Sequence, residues 1–267
     1  MITYPAALAL CLGLTTTAQP QSEPPIPVPT TADLTQFVDA FLADERAAID
    51  IPGIVVAVVV GDEVRLQEGY GVADLERQVP VDPERTLFRV GSVSKSFTAA
   101  VVLSEVERGA LDLDAPIHEY IRGKGILIRP SADGMTPFHL LTHTAGFDES
   151  FVGQHVAEPA QMSALLYYLA RNLPRRDLPV GQVISYNDYA TTLAGHLAAR
   201  TSGMPFEELM AERILGPLGM TRSTFHQVEI PEALAADRAT AYSDARGERR
   251  PLPHDYILTT PSAGLWT

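Results

Sequence analysis

The stretch "LFRVGSVSKSFTAAVV", residues 87–102, decides how this sequence is read. A short apolar run ends at Val90, Gly91 breaks it, and Ser92 stands three residues ahead of Lys95. Phe97, Ala100, Val101 and Leu103 or Ser104 then recur at helical spacing up to Gly109. That spacing predicts a helix over 92–108 with those residues on its buried side. Three residues is close to one turn, so Ser92 and Lys95 face the same way at its start. The lysine is the odd choice, because the chain carries eighteen arginines and two lysines. An arginine would serve solubility or a salt bridge equally well, but its guanidinium does not give up a proton. A lysine amine can, where burial and a nearby positive dipole disfavour the ammonium. A cation in a first helical turn also opposes the helix dipole, so stability alone does not ask for it. The pattern fits a serine nucleophile with a lysine partner, beside free N–H groups suited to an oxyanion. The plainer reading is an N-cap serine and a surface lysine, and Ser-x-x-Lys by itself does not separate the two.

The rest of the chain bounds the answer. Its 267 residues suffice for one large domain or two small ones. A formal charge of −13 and a pI near 4.9 argue against nucleic-acid binding, which needs a basic footprint, and against docking on an anionic membrane. The opening "MITYPAALALCLGLTTTAQPQSEPP" reads as an export signal. Its apolar run, Pro5 to Leu14, is too short to span a bilayer, and Ala18 offers a cleavage point. No Lys or Arg precedes the run, and Leu10 stands where a lipoprotein site wants a small residue. The expected organisation is a signal peptide over 1–18, a linker with five prolines over 19–30, and one domain over 31–267. The product would be periplasmic or secreted, without a stable membrane anchor. Cys11 is the only cysteine. Its removal with the signal would leave no disulfide, cysteine nucleophile or thiolate metal site.

Along the domain, "TADLTQFVDAFLADERAA" places Leu34, Phe37, Val38, Phe41 and Leu42 on one helical face, with Thr31 as a cap. "IPGIVVAVVVGDEVRLQEGYGVADLE" predicts two strands turning at Gly61-Asp62, the first apolar on both faces and therefore covered on both. The texture then becomes helical: "TPFHLLTHTAGF", "AQMSALLYYLARNL", "YATTLAGHLAARTSG" and "PFEELMAERILGPLG" alternate with Gly and Pro breaks. "PEALAADRATAYSDARGERRPLPHD" reads as a solvated, charged connection. His139 and His143 sit four apart, but no Glu follows His139, and they read as helix-packing histidines rather than a zinc pair. No Gly-x-Ser-x-Gly marks an ordinary α/β-hydrolase, and no glycine-rich phosphate loop is present.

A second polar element is "PVGQVISYNDYATTLAG", residues 179–195, where Tyr186 precedes a helix. A phenol there can exchange protons with a serine if a cation is near, although an interface tyrosine is the commoner role. Taken together, "LFRVGSVSKSFTAAVV", "HLLTHTAGF", "YNDYATTLAG", "ILGPLGMTRSTF" and "PSAGLW" resemble, in that order, the serine β-lactamase-related family. That family comprises class C β-lactamases, serine DD-peptidases and esterases of the same fold. The similarity runs from about residue 35 to residue 267. It implies an α/β (α+β) architecture of β-lactamase/transpeptidase type: an antiparallel sheet with flanking helices and an all-helical region. It also implies Ser92 as nucleophile, Lys95 as its partner and Tyr186 as the tyrosine of the Tyr-x-Asn motif.

Two departures stand out. Asp188 occupies the position of the motif's Asn, a substrate-binding place where a carboxylate cannot donate the amide hydrogen bond. The register Ser185-Tyr186-Asn187 would mimic a Ser-x-Asn variant, but its flanks fit less well. No Lys-Thr-Gly or His-x-Gly follows Asp188, so the sheet's C-terminal strands, with one oxyanion N–H, are expected to be missing and the chain to be truncated. The resulting expectation is a serine hydrolase needing no metal or organic cofactor. It would act on a small-molecule ester, amide or β-lactam, or on cell-wall peptide. The alternative is a degenerate homologue that binds such a ligand without turnover.

Overall fold

The structure, a computed structural model, describes residues 28–49, 51–121, 134–245 and 248–267. The expected signal peptide and most of the proline-rich linker lie outside the described residues. Helix α1 (Thr31–Ile49) is capped one residue earlier than the sequence suggests. The Thr30 hydroxyl accepts the Asp33 N–H at 3.2 Å, and the Asp33 carboxylate accepts the Thr30 N–H at 3.1 Å. Of its apolar face only Leu34, Val38 and Leu42 turn inward. Phe37 and Phe41 are 68% and 53% exposed and stack on each other at 6.2 Å.

Strands β1 (Gly53–Val60) and β2 (Glu63–Asp74) form the expected hairpin, with Gly61 at φ 65° in the turn. Strand β3 (Val79–Pro80) pairs with the far side of β2, giving the order β1-β2-β3. Among the described residues β1 therefore has one neighbour and one open edge. Its residues alternate between half-buried and exposed towards the turn, and none is buried. Cover on both faces, expected from its unbroken apolar run, is not what the described residues provide: composition reports what a strand tolerates, not what lies against it. Tyr70 on β2 donates to Asp39 on α1 at 2.9 Å and ties helix to sheet.

The second half is built round one helix. α6 (Asp188–Ser202) is buried without a break from Asp188 to Ala198. Asn187 caps it by accepting the Ala190 N–H at 2.7 Å, and Gly203 leaves it at φ 74°. Against it lie α2 (Ser94–Glu107), α3 (His118–Ile121), α4 (Pro137–Leu141), α5 (Leu165–Arg171), α7 (Phe206–Met210) and α9 (Thr260–Ala263). Leu193, Leu197, Val101, Leu140 and Leu209 meet in this core with no exposure at all. Gly195 lets α6 and α9 approach, because a Cβ there would come within 2.7 Å of the Pro261 Cβ.

Elsewhere the expectations need correction. α2 buries Ser94, Thr98, Val101, Val102 and Glu105, while Ala100 and Leu103 are exposed. Ser94 and Thr98 can be inside because each is hydrogen-bonded. Ser94 Oγ accepts the Leu265 N–H at 3.0 Å and Thr98 Oγ1 donates to Pro261 O at 2.6 Å, while Glu105 has the Arg213 charge 3.9 Å away with no hydrogen bond at Oε1. "TPFHLLTHTAGF" is helical only over α4. His143 ends the turn at φ 57° and is not a helix residue. The charged connection after residue 230 holds a helix and a hairpin, α8 (Glu232–Ala236) and β5 (Tyr242–Ala245) with β6 (Glu248–Pro251). β4 (His155–Val156) pairs with β7 (Tyr256–Ile257). No helix among the described residues is long and apolar enough to cross a membrane.

Candidate active site

Ser92 lies in a 3₁₀ turn, Gly91–Val93, that runs straight into α2 and puts Lys95 in the helix's first turn. Gly91, at φ 51°, turns the chain out of the preceding extended segment. That segment is held by the end of the chain: Phe88 and Thr267 exchange N–H···O bonds at 2.9 and 3.1 Å, and Val90 N–H reaches Leu265 O at 3.1 Å. Together with Ser94 and Thr98, these bonds fasten the "PSAGLWT" segment along the start of α2. The Ser262 carbonyl comes to rest on Lys95 as a result.

Lys95 is the centre of the site. Its Nζ donates to Ser92 Oγ at 3.0 Å and to Ser262 O at 3.1 Å, and stands 2.5 Å from Asp188 Oδ1. Two of the ammonium's three donors are thus hydrogen-bonded, and Asp188 faces it as a counter-charge with no hydrogen bond at Oδ1. The Lys95 and Asp188 side chains are only 12% and 8% exposed, whereas Ser92 opens to solvent. Tyr186 completes the group. Its hydroxyl donates to Ser92 Oγ at 2.6 Å, and its ring lies 4.7 Å from Lys95 Nζ. Ser92, Lys95 and Tyr186, read from separate stretches of sequence, thus converge on one oxygen. Asp188 joins them as the lysine's counter-charge, a contact that motif position alone did not suggest.

The Tyr186 segment is held by the loop after α4. Ser185 N–H donates to His143 O at 2.8 Å, and Asn187 N–H to His143 Nδ1 at 3.2 Å. The Asn187 amide donates to Asp148 O at 2.7 Å, and Asp188 N–H to Glu149 Oε2 at 2.8 Å. Ser185 Oγ donates to Phe147 O at 2.9 Å. Both polar side chains of the Ser-x-Asn register are therefore spent on the backbone, and Asp188 is the one that faces Lys95. Burial pushes the Glu149 carboxyl above its ordinary range, against the two N–H bonds that pull it down. Burial also holds His143 below its ordinary range, with the Lys95 charge acting in the same direction and Asp188 opposing. Neither His143 nor Glu149 was singled out from sequence for this place. Sequence pattern offers His143 only as a helix-packing histidine, whereas it lies beyond the end of α4, and it offers Glu149 no role.

Comparison with known proteins agrees in extent and order. The family model described as Beta-lactamase matches residues 36–267. A beta-lactamase of Pseudomonas fluorescens is 32% identical over 213 residues, 80% of this chain and 56% of that protein. One of Providencia stuartii is 32% identical over 192 residues, 72% of this chain and 47% of that protein. The chain thus spans about half the length of the curated relatives it matches. Among solved structures, an octameric penicillin-binding protein homologue from Pyrococcus abyssi superposes with a TM-score of 0.74 at 28% identity, covering 87% of this chain and 53% of that one. A class C beta-lactamase in complex with cefoxitin gives 0.72 at 26% identity, covering 89% and 62%. The helices, the small antiparallel sheets and their order are those of the β-lactamase/transpeptidase-like fold. A match that runs from the second turn of α1 to residue 267 leaves little of the described chain outside it, and the chain belongs to the Beta-lactamase family.

Proposed function

We propose that the chain is a serine hydrolase that attacks an ester or amide carbonyl, β-lactams included, through an acyl-enzyme on Ser92. The observation that carries this reading is the convergence of Lys95 Nζ, at 3.0 Å, and Tyr186 Oη, at 2.6 Å, on Ser92 Oγ. As the Oγ–carbon bond forms, the Ser92 proton passes to the Lys95 amine or the Tyr186 oxygen, whichever is unprotonated. The same pair returns that proton to the leaving group when the carbon–heteroatom bond breaks. Water then adds to the acyl carbon, loses its proton to the pair, and releases the acid with Ser92 restored. No step needs a metal or organic cofactor.

A second reading has its own support: the Asp188 carboxylate stands 2.5 Å from Lys95 and competes with Ser92 for it. A protein so arranged would bind a small ester, a β-lactam or a cell-wall peptide and turn it over slowly or not at all. One experiment separates the two. The chain is exposed to a fluorophosphonate and to a penicillin, the adduct is located by tandem mass spectrometry, and nitrophenyl-ester hydrolysis is followed in parallel. The first reading expects the label on Ser92 with turnover; Lys95→Arg should abolish both, since arginine keeps the charge but not the basicity. Label on Ser94 or Ser96 refutes the assignment. Binding of penicillin without label or turnover supports the second reading.

A further inference from the structure

Beyond the reacting atoms, one group has geometry that neither the acyl-transfer steps nor the fold requires. His143 is one of two non-glycine residues with positive φ among the described residues, at 57°. A bulky side chain in that region costs on the order of 1–2 kcal/mol, and it persists only where the surroundings impose it. The consequence of the conformation is specific. It turns both the carbonyl and the ring of His143 toward the same neighbouring strand of chain. The carbonyl accepts the Ser185 N–H at 2.8 Å, and Nδ1 accepts the Asn187 N–H at 3.2 Å. The residue between those two donors is Tyr186. The imidazole also lies against the Tyr186 ring, with centroids 4.6 Å apart. His143 therefore grips the backbone on both sides of Tyr186 and supports its ring.

We propose that His143 is a positioning residue that holds the Tyr186 hydroxyl on Ser92 by clamping the Ser185 and Asn187 N–H groups. The proposal rests on the serine-hydrolase reading of Ser92 and Tyr186. It requires the neutral ring, since Nδ1 must keep a lone pair for the Asn187 N–H. Burial of the imidazole and the nearby Lys95 charge both favour that form. The remaining contacts of the segment, to Phe147, Asp148 and Glu149, act on Ser185, Asn187 and Asp188 from the next turn of the loop. They set its distance from α6 but do not touch the tyrosine.

The test uses two variants with opposite predictions. His143→Asn keeps an acceptor, because the amide oxygen occupies the same bonded position as Nδ1, and Asn tolerates positive φ. His143→Gly removes the acceptor and the ring while relieving the backbone, so any loss it shows is not strain. Two measurements are made on each: the rate of Ser92 labelling by a fluorophosphonate, and hydrogen exchange at the Ser185–Asn187 amides. In His143→Gly, labelling should slow roughly ten- to a hundred-fold, and the Asn187 amide should exchange about five- to ten-fold faster. In His143→Asn, exchange protection should return to the parent value and labelling to within about threefold of it. Unchanged labelling and exchange in His143→Gly overturn the proposal. Equal losses in both variants also overturn it, since they would make the imidazole's bulk and not its acceptor the cause. If the parent chain takes no label, the serine-hydrolase reading fails, and the exchange measurement still decides whether His143 holds the segment.

Discussion

Asp188→Asn tests the centre of the site, because it changes one charge and almost no volume. In the parent, two opposite charges stand 2.5 Å apart with their side chains 12% and 8% exposed. At an effective dielectric of about 20 such a pair attracts by roughly 6 kcal/mol, and desolvation of the two ions takes back several of these. Removing one partner is worse than never having the pair, because the other ion stays buried alone: about 3–5 kcal/mol in comparable cases. Here the lower end applies. The ammonium keeps Ser92 Oγ and Ser262 O, and Glu149 is relieved of a like charge that helps raise its carboxyl. A loss of about 3 kcal/mol should lower the melting temperature by about 6–12 °C in a domain of this size.

The same change should have the opposite sign in chemistry. Without the carboxylate, Lys95 Nζ loses the counter-charge that competes with Ser92 for it, so Ser92 labelling should be faster than in the parent although the fold is less stable. Calorimetry and fluorophosphonate labelling read both effects. A melting temperature within about a degree of the parent, together with an unchanged labelling rate, would sink the ion pair as a feature of the protein in solution. A lower melting temperature with an unchanged labelling rate would keep the pair but remove Lys95 from the proton transfer.

Three further outcomes are expected. His196 on α6 is 8% exposed, and burial holds its pKa at about 4 against an ordinary 6.5, so the neutral form stabilises the fold fully above about pH 6.5. That contribution, about 3 kcal/mol, is lost as pH falls from 6.5 toward 4; urea melts across this range should steepen in the parent and flatten in His196→Leu, and equal slopes would refute it. Gly195→Ala should destabilise by about 1–3 kcal/mol despite alanine's better helix propensity, because its Cβ meets Pro261 and Phe206. It should also slow Ser92 labelling, since Pro261 carries the neighbouring Ser262 carbonyl off Lys95; denaturant melts and labelling rates check both. Export is proposed from the first eighteen residues, and N-terminal sequencing of the protein from its native host should begin near Gln19; an intact Met1 on a cytoplasmic product would refute it.

What was legible in the sequence follows from what each element depends on. The hairpin and α6 could be read because their signals are local: a glycine turn between β-branched runs, and an Asn cap with a Gly stop. Ser92, Lys95 and Tyr186 could be singled out because the proposed chemistry requires those residue types, and the order of motifs resembled a family. The buried side of α2 could not. Ser94, Thr98 and Glu105 break the apolar period, and they are inside only because residues more than a hundred positions away supply partners. The grip of His143 on the Tyr186 segment and the contact of Asp188 with Lys95 could not be read either, for a related reason. A histidine at a helix end and an aspartate at a helix start each have an ordinary local explanation, and only the facing loop shows what they hold.

The surroundings of position 95 fit a lysine better than an arginine. Ser92 Oγ and Ser262 O accept from Nζ, and Asp188 Oδ1 stands 2.5 Å from it, three groups from three different elements round one atom. A compact ammonium serves both acceptors and the counter-charge with one nitrogen. A planar guanidinium spreads five N–H groups over a wider, rigid fork that groups gathered round one point do not match. The Ser262 acceptor is in place because buried polar residues on α2 hold residues 260–267 against it. The irregular face of α2, which obscures its helical period, is what delivers the Ser262 carbonyl to the lysine.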